Sequence, residues 1–532
     1  MKKLFLTLLT CMVAMLTNAQ TLSTTAVSTF NDLEDGAIYA LKTLNDKATS
    51  GGWYYNDGSF KYTLNQNDVT PGEKMSADKN KFLWKVYKNS DNTISLVNMY
   101  NGVYFGKATA NVDYQMSSNT NCREDLGKFN FEVSTKHGKN EYLDLYITNG
   151  SNKYYLTSNN GGQLSYWALS DEDTNKASVQ FYKVEDPANI ELPVKPNKPC
   201  LLRLGDGGEW SAGGYINSID GSSVKVNGQT PELSTLGSEW TFEGDYANGF
   251  KIINVKSKKV LGINTVTLAN AGGEGNTPIQ MYENTENPGE NISILWDVTG
   301  NTFVENGFTI NVKGSIRDRA NYRGSNLAFW NKGMGGGSAL RVYENIELPL
   351  IQVGEKYYAT TYLPFAVTIP EGVNAYTATL NENNVTLNAV TGVLPAETAV
   401  ILEGNAANAS FALTSENSTV NKGNMLGTLE AKTIDAGTTS YLILGRKGDA
   451  LGFYLPKKTM TSIAGNRAYF DISANNAAQK GFSLNFDVVS GINNAVAGNN
   501  NQGVIYDLTG RRVNNTVKGG IYICNGKKII IK

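Results

Sequence analysis

The stretch LSYW at residues 164–167 returns as LAFW at residues 327–330, so that Trp167 and Trp330 are 163 residues apart. The apolar stretches AIYAL (residues 37–41) and CLLRL (residues 200–204) are separated by the same 163 residues. Two recurrences at one spacing, with matching aromatic residues, indicate that a unit of about 160 residues has been duplicated.

Each copy also contains an internal repeat of short strands. In the first copy the repeated strands are FLWKV (residues 82–86), FNFEV (129–133) and FYKVE (181–185). In the second copy they are EWTF (239–242), LWDV (295–298) and LRV (340–342). One such repeat cannot bury its aromatic face alone, whereas three repeats close a barrel with a cap. The pattern therefore predicts two tandem β-trefoils.

One repeat of the second copy resembles a known family. The run KKVLG (residues 258–262), followed by GNTPIQMY (275–282) and Trp296, resembles the repeat of ricin B-chain-like lectins. The resemblance implies a β-trefoil that binds sugars, and it makes Asn276, Gln280 and Tyr282 candidate sugar contacts. The chain departs from the family in two ways. The closing Gln–x–Trp is replaced by ILW (294–296), and the family's acidic sugar ligand has no clear match.

Other candidate sites follow from the chemistry of sugar recognition. A pyranose needs a flat aromatic face for its C–H side and amide or carboxylate groups for its hydroxyls. The sequence places such groups together at Trp53 with Asp57 and at Trp210 with Tyr215. Because Trp167 and Trp330 recur at the duplication spacing, we expect them to be structural. A core position is expected for the strand residues Trp84, Trp240 and Trp296.

The two ends of the chain indicate export. Residues 1–19 combine Lys2 and Lys3, an apolar run and a small-residue cleavage site, as in a signal peptide. The segment 503–532 resembles the C-terminal sorting module of bacterial proteins exported by the type IX secretion system. The matching motifs are YDL (506–508), GRRV (510–513), KGGIY (518–522) and GKK (526–528). This resemblance implies passage across the outer membrane, with attachment to the bacterial cell surface or release outside the cell.

The remaining region has the pattern of a β-sandwich. Short strands are predicted within residues 357–365, 373–380, 385–390, 398–402 and 441–444. The region resembles a domain of unknown role that accompanies such sorting modules, which assigns no functional residue to it. The expected class is all-β throughout. The expected divisions are a signal peptide (1–19), two trefoils (20–190 and 191–349), a β-sandwich (350–490), and a linker with the C-terminal module (491–532).

The composition excludes several functions. With 47 basic and 49 acidic residues, the chain has no positive excess for a nucleic acid. Its single histidine, His137, lies in a charged turn, and one His with scattered Cys residues cannot form a zinc site. The sequence also has no candidate transmembrane segment after residue 19, since no later apolar run approaches the necessary length.

We therefore expect no catalytic residue, no metal and no cofactor. The predicted function is an exported, non-catalytic protein that binds a glycan or polysaccharide. One alternative is a structural or adhesive surface protein that contacts protein or matrix. The other alternative is a glycoside hydrolase with appended binding modules, since such enzymes need only two suitably spaced carboxylates.

Overall fold

The computed structural model describes most of the chain from Gln20 onwards. The described residues are 20–27, 29–45, 48–57, 60–62, 66–106, 127–134, 142–158, 164–167, 177–205, 213–218, 224–227, 238–270, 277–316, 318–323, 326–330, 335–381, 385–416, 418–447, 450–473, 481–484, 505–506, 512–513, 521–524 and 527–530. Strands dominate these residues, which confirms the all-β class predicted from the sequence.

The two regions predicted to be trefoils, residues 20–190 and 191–349, keep the names first trefoil and second trefoil below. The first contains twelve described strands. They are β1 (Gln20–Thr21), β2 (Ile38–Asn45), β3 (Ala48–Asn56), β4 (Phe60–Tyr62), β5 (Lys74–Met75), β6 (Leu83–Lys88), β7 (Ile94–Asn98), β8 (Asn130–Val133), β9 (Leu143–Asn149), β10 (Asn152–Ser158), β11 (Leu164–Trp167) and β12 (Ser178–Lys183). Neighbouring strands follow the ring order β2–β6–β7–β8–β9–β12 and back to β2, always antiparallel; β7 meets the chain at Phe129, immediately before β8, through a single bridge to Ile94. The hairpins β3–β4 and β10–β11 extend from this closed barrel.

The second trefoil repeats this arrangement. Its strands are β13 (Cys200–Leu204), β14 (Gly214–Asn217), β15 (Lys225–Asn227), β16 (Glu239–Asp245), β17 (Gly249–Asn254), β18 (Val260–Asn264), β19 (Gln280–Tyr282), β20 (Ile292–Ser293), β21 (Trp296–Gly300), β22 (Phe308–Val312), β23 (Arg319–Arg323), β24 (Asn326–Trp330) and β25 (Leu340–Tyr343), with one short helix, α1 (Thr265–Asn270). The ring order is β13–β16–β17–β21–β22–β25 and back to β13. The hairpins β14–β15, β18–β19 and β23–β24 extend from it. The second region is thus a closed β-barrel of six strands with three hairpins.

A buried tryptophan fixes each of three repeats. Trp84, Trp240 and Trp296 are almost completely buried, which confirms their predicted core positions. In each case the indole N–H donates to a backbone carbonyl in the second strand of the same repeat. The acceptors are Tyr54 at 3.3 Å, Ile216 at 2.8 Å and Leu261 at 2.9 Å. These bonds satisfy the polar atom of each buried ring, so the ring fills the barrel without an unpaired donor.

The region after the second trefoil contains two facing sheets and a further sheet. The first two sheets contain β26 (Asn345–Pro349), β27 (Ile351–Val353), β28 (Lys356–Thr361), β29 (Val367–Thr368), β30 (Val373–Leu380), β31 (Val385–Val390), β32 (Val393–Leu394), β33 (Val400–Gly404) and β34 (Asn408–Leu413). Their orders are β26-β34-β29-β32 and β27-β28-β33-β30-β31. Apolar residues from both sheets share one core, as expected for a sandwich.

The further sheet has the order β35-β40-β37-β38-β41, beside the pair β36-β39. These strands are β35 (Leu426–Thr428), β36 (Lys432–Thr433), β37 (Tyr441–Lys447), β38 (Ala450–Tyr454), β39 (Ser462–Ile463), β40 (Arg467–Asp471) and β41 (Gly481–Ser483).

Four C-terminal strands form a compact unit of their own. They are β42 (Ile505–Tyr506), β43 (Arg512–Val513), β44 (Ile521–Cys524) and β45 (Lys527–Ile530), in the sheet order β43-β42-β44-β45. Within the described ranges, no helix has both the length and the apolar character needed to span a bilayer.

Candidate functional site

The lectin-like strand β19 places two of the predicted site residues on one face. Gln280 is exposed and Tyr282 is half-buried, and because they are two positions apart in a strand they point the same way. The Tyr282 ring lies over Gly262, where an added Cβ would be only 2.7 Å from the ring. Burial raises the pKa of the Tyr282 hydroxyl. The predicted partners Asn276 and Trp210, like His137, lie outside the described residues.

Two other predicted aromatic contacts are core residues, which corrects their assignment as sugar platforms. Trp53 is fully buried, with its ring centroid 5.5 Å from that of Tyr182, so neither of its faces reaches solvent. Tyr215 is buried where the second trefoil meets the sandwich, with its ring 5.7 Å from the ring of Tyr343. Asp57 is exposed and pairs with Lys61 at 3.2 Å, so the structure does not bring it together with a solvent-facing Trp53 ring.

Trp167 is the large exposed aromatic that the sequence reasoning assigned to a structural role. It is 49% exposed, whereas Tyr166 beside it is fully buried. Trp330, its counterpart in the second trefoil, is half-buried and has the Arg323 guanidinium 4.1 Å from its ring centroid. The signal was present in the sequence, because adjacent residues of a strand face opposite sides and only one of them can enter the core.

Trp167 ends a row of side chains that crosses four strands of the first trefoil. The strand register sets Trp167 opposite Tyr155, Tyr155 opposite Tyr146, and Tyr146 opposite Asn130. Residues directly opposite in antiparallel strands share a face of the sheet. The neighbours Leu145, Ile147 and Leu156 face the core, so the row lies on the outside of the barrel. We call these four residues the trefoil 1 row.

A charged group lies beside the trefoil 1 row. The carboxylate of Glu132 accepts a hydrogen bond from the Tyr155 hydroxyl at 2.6 Å and another from Lys153 Nζ at 2.7 Å. The Tyr146 and Tyr155 ring centroids are 5.3 Å apart, and Lys153 Nζ lies 4.5 Å from the Tyr146 centroid. These contacts hold Glu132 and Tyr146 in fixed positions, while the side chains of Glu132 and Lys153 remain partly exposed.

The equivalent row of the second trefoil has a different fate. The same register relations there give Trp330, Arg319, Asn311 and Asp297, which we call the trefoil 2 row. Arg319, Asn311 and Asp297 are buried. Asp297 faces the first trefoil, where Lys85 Nζ contacts its Oδ1 at 2.5 Å and the Tyr87 hydroxyl donates to its Oδ2 at 2.9 Å. The trefoil 1 row is therefore open at Trp167, although Tyr155 within it is buried, whereas the trefoil 2 row is covered along three of its four residues.

The junction that covers the trefoil 2 row is buried and tightly fitted. Lys85 and Asp297 have fully buried side chains, and Lys85 Nζ also donates to the backbone carbonyls of Tyr246 and Ala247. Burial lowers the pKa of Lys85. At Gly300 an added Cβ would lie 1.9 Å from the carbonyl oxygen of Tyr100, so only glycine fits this approach. The position equivalent to Gly300 in the first trefoil is Val133, which is half exposed.

The described residues contain no group of three or more His, Cys, Asp or Glu side chains placed to bind a metal ion. Two carboxylates, Glu132 and Asp144, lie opposite each other across β8 and β9. Each is already committed, Glu132 to Tyr155 and Lys153, and Asp144 to the hydroxyl of Ser178. The arrangement thus offers one exposed aromatic ring, that of Trp167, with a fixed carboxylate and an amide on one outer face of the barrel.

Comparison with known proteins gives no family model and no curated relative that matches. Among solved structures, a Polyporus squamosus lectin is 14% identical with a TM-score of 0.22, over 28% of this chain and 50% of the lectin. An arabinofuranosidase is 10% identical with a TM-score of 0.25, over 61% and 96% of the two chains. An exo-β-1,3-galactanase from Clostridium thermocellum is 11% identical with a TM-score of 0.21, over 57% and 82%. The chain spans only half the length of the lectin, and similarity at this level assigns no ligand.

Proposed function

We propose that this chain is an exported, non-catalytic carbohydrate-binding protein whose sugar site is the trefoil 1 row with Glu132 and Lys153. The observation that carries the proposal is Trp167, a half-exposed indole in line with Tyr155, Tyr146 and Asn130. A large aromatic exposed beside oriented polar groups is typical of a binding surface.

Each part of this face matches one part of a sugar. The exposed Trp167 ring can stack on the apolar C–H side of a pyranose. Glu132 accepts hydrogen bonds, and Lys153 and Asn130 donate them, which together suit neighbouring hydroxyls of one ring. Glu132 is held by Tyr155 and Lys153 before any ligand arrives, so binding would not have to order it.

A binding role suits this face better than a hydrolytic role. Glycosidases need one carboxylic acid to donate a proton and a second carboxylate to act as nucleophile or base. Glu132 is already held by the ion pair with Lys153 at 2.7 Å and by the hydrogen bond from the Tyr155 hydroxyl. Asp144 is buried and accepts a hydrogen bond from the Ser178 hydroxyl, so it does not face a ligand on this surface.

The test is a glycan array probed with the full-length chain. We expect binding to a subset of glycans, an affinity loss of about tenfold for Trp167→Ala, and little change for the matched control Trp330→Ala. Absence of binding across plant, animal and bacterial glycans would refute the proposal and favour an adhesive role toward protein or matrix. Release of sugar products by the purified chain would instead point to a hydrolase.

The cellular location of the protein is part of the same proposal. The N-terminal segment 1–19 and the motifs of 503–532 support export and sorting to the outside of the outer membrane. We expect the full-length chain to be accessible to added protease on intact cells, and a chain lacking residues 491–532 to be retained inside. Equal accessibility of both chains would remove the sorting role from this module.

A further inference from the structure

A cavity of about 170 Å³ lies between the sandwich and the turn that precedes β40. Its wall comes from β26, β28, β33, this turn and the first residue of β40, Arg467. It is therefore remote in sequence from the trefoil 1 row. The apolar part of the wall excludes water from one side, and the polar part combines Arg467 and the two threonines at the end of β28 with Asn466 and the carboxylate of Glu347.

Arg467 brings a positive charge to this wall. Its side chain is partly buried, and one Nη1–H donates to the carbonyl oxygen of Thr360 at 3.0 Å. Among the described residues, no carboxylate lies within ion-pair distance of its guanidinium. Burial lowers the pKa of Arg467. A guanidinium has five N–H donors, so most of its hydrogen-bonding capacity is left for another acceptor.

Thr361 supplies a second polar group with unused capacity. The residue is almost completely buried, and its hydroxyl has no hydrogen-bond partner in the described structure. Buried hydroxyls are normally paired, because an unpaired one has lost its bonds to water without replacing them. The adjacent Thr360 is different, since its hydroxyl accepts a hydrogen bond from the Ala468 N–H at 3.2 Å.

The wall is held in place by backbone contacts. Asn466 adopts a left-handed backbone conformation with φ of 56°, and its side chain donates to the carbonyl oxygen of Tyr362 at 3.0 Å. The Tyr362 N–H in turn donates to the carbonyl oxygen of Asn466 at 3.2 Å. These bonds tie the turn to the end of β28, so Arg467 and Thr361 are positioned before a ligand binds.

We propose that this cavity is a binding site for a carboxylate group, held by the Arg467 guanidinium and the Thr361 hydroxyl. The planar guanidinium can donate two parallel hydrogen bonds to the two oxygens of one carboxylate, whereas a monatomic anion cannot accept both in this geometry. The exposed carboxylate of Glu347 at the wall opposes an incoming anion, so it limits affinity without blocking the site. The ligand is a small acid or an acidic group on a larger molecule.

The experiment titrates the full-length protein with acetate and with glucuronate, using glucose as the neutral match of glucuronate and inorganic phosphate as a differently shaped anion. Binding is followed by calorimetry and by the chemical shifts of amides next to Arg467. We expect acetate and glucuronate to bind, and glucose to have no effect on these amides. Stronger binding of phosphate than of either carboxylate would overturn the assignment, as would the absence of any response to both acids.

Four variants localise the effect. Arg467→Met and Thr361→Val should weaken carboxylate binding, by about tenfold or more for the arginine. Arg467→Lys keeps the charge but loses the planar fork, and should also weaken it. Glu347→Gln should tighten it severalfold, and this exposed substitution leaves the fold intact. If neither the Glu347→Gln variant nor the Arg467→Lys variant changes the affinity for the carboxylate, the proposed site is wrong. Trp167→Ala should have no effect here, which separates this site from the proposed sugar site.

Discussion

The two trefoils carry the same row of cross-strand positions, and they use it in opposite ways. In the first trefoil the row consists of Trp167, Tyr155, Tyr146 and Asn130, and Trp167 at its end is half exposed. In the second trefoil the row consists of Trp330, Arg319, Asn311 and Asp297, and Asp297 at its other end is buried against the first trefoil. Duplication of the barrel therefore does not duplicate its exposed surface, because part of the row of the second copy is buried in the contact with the first copy.

The largest expected effect comes from the residue that joins the two trefoils. Asp297→Asn gives the trefoil 2 row the amide found at Asn130 and leaves Lys85 buried without its counter-charge. We expect a loss of about 3–5 kcal/mol in the free energy of unfolding, measured by urea denaturation. The matched control Asn130→Asp, at a half-buried position, should change stability by less than about 0.5 kcal/mol. Similar losses in both variants would contradict the comparison.

A smaller difference should separate two tyrosines that donate to the carboxylates of this comparison. The Tyr87 hydroxyl donates to Asp297 at 2.9 Å in the buried junction, and the Tyr155 hydroxyl donates to the partly exposed Glu132 at 2.6 Å. Tyr87→Phe should cost about 1.5–3 kcal/mol, because the acceptor cannot turn to water. Tyr155→Phe should cost about 0.5–1.5 kcal/mol, because Glu132 can be hydrated. Equal costs from thermal unfolding would mean that the two acceptors are equally buried.

The face of the second trefoil that packs against the sandwich gives a pH-dependent effect on stability. Glu239, opposite Leu201 beside the sandwich, is buried, and burial raises its pKa to about 8 while Lys258 partly offsets the shift. The folded protein thus binds more protons than the unfolded chain between about pH 4.5 and 8. The free energy of unfolding should fall by up to about 1.4 kcal/mol per pH unit as the pH rises through this window. Glu239→Gln should flatten the profile, whereas Glu243→Gln at an exposed position of β16 should leave the slope in place.

The smallest effect is expected at the open row. Lys153→Met removes the ion pair with Glu132, whose side chains are both partly exposed. Stability should change by about 0–1 kcal/mol, since solvent and salt screen such pairs. The same substitution should weaken glycan binding on the array, because it removes a donor from the proposed site. A stability loss as large as that of Asp297→Asn would show that the open row is also a structural junction.

Much of the fold could be predicted from the sequence because it depends on local alternation and repetition. The spacing of Trp167 and Trp330 indicated the duplication, and the strand bounds predicted at residues 373–380 and 385–390 coincide with β30 and β31. The buried positions of Trp84, Trp240 and Trp296 followed from the repeated strands. The strands between Leu426 and Ser483 were mostly missed, because they are short and interrupted by turns.

The candidate site was harder to predict, since it depends on which face of a strand is covered by another part of the chain. Trp53 and Tyr215 look like binding residues in the sequence, yet the first lies in the core and the second against the sandwich. Trp167 looked structural because its position is duplicated. Glu132, Tyr146 and Tyr155 come from separate strands, so only the register shows that they share a face.

The burial of Lys85 has a practical consequence for anyone who divides this chain. Its ammonium group donates hydrogen bonds to the backbone carbonyls of Tyr246 and Ala247 and to the Asp297 carboxylate, which all belong to the second trefoil. A piece that stops between the two barrels would thus expose a surface evolved for contact, with a cation at its centre. Expression trials should keep both barrels on one polypeptide and truncate elsewhere.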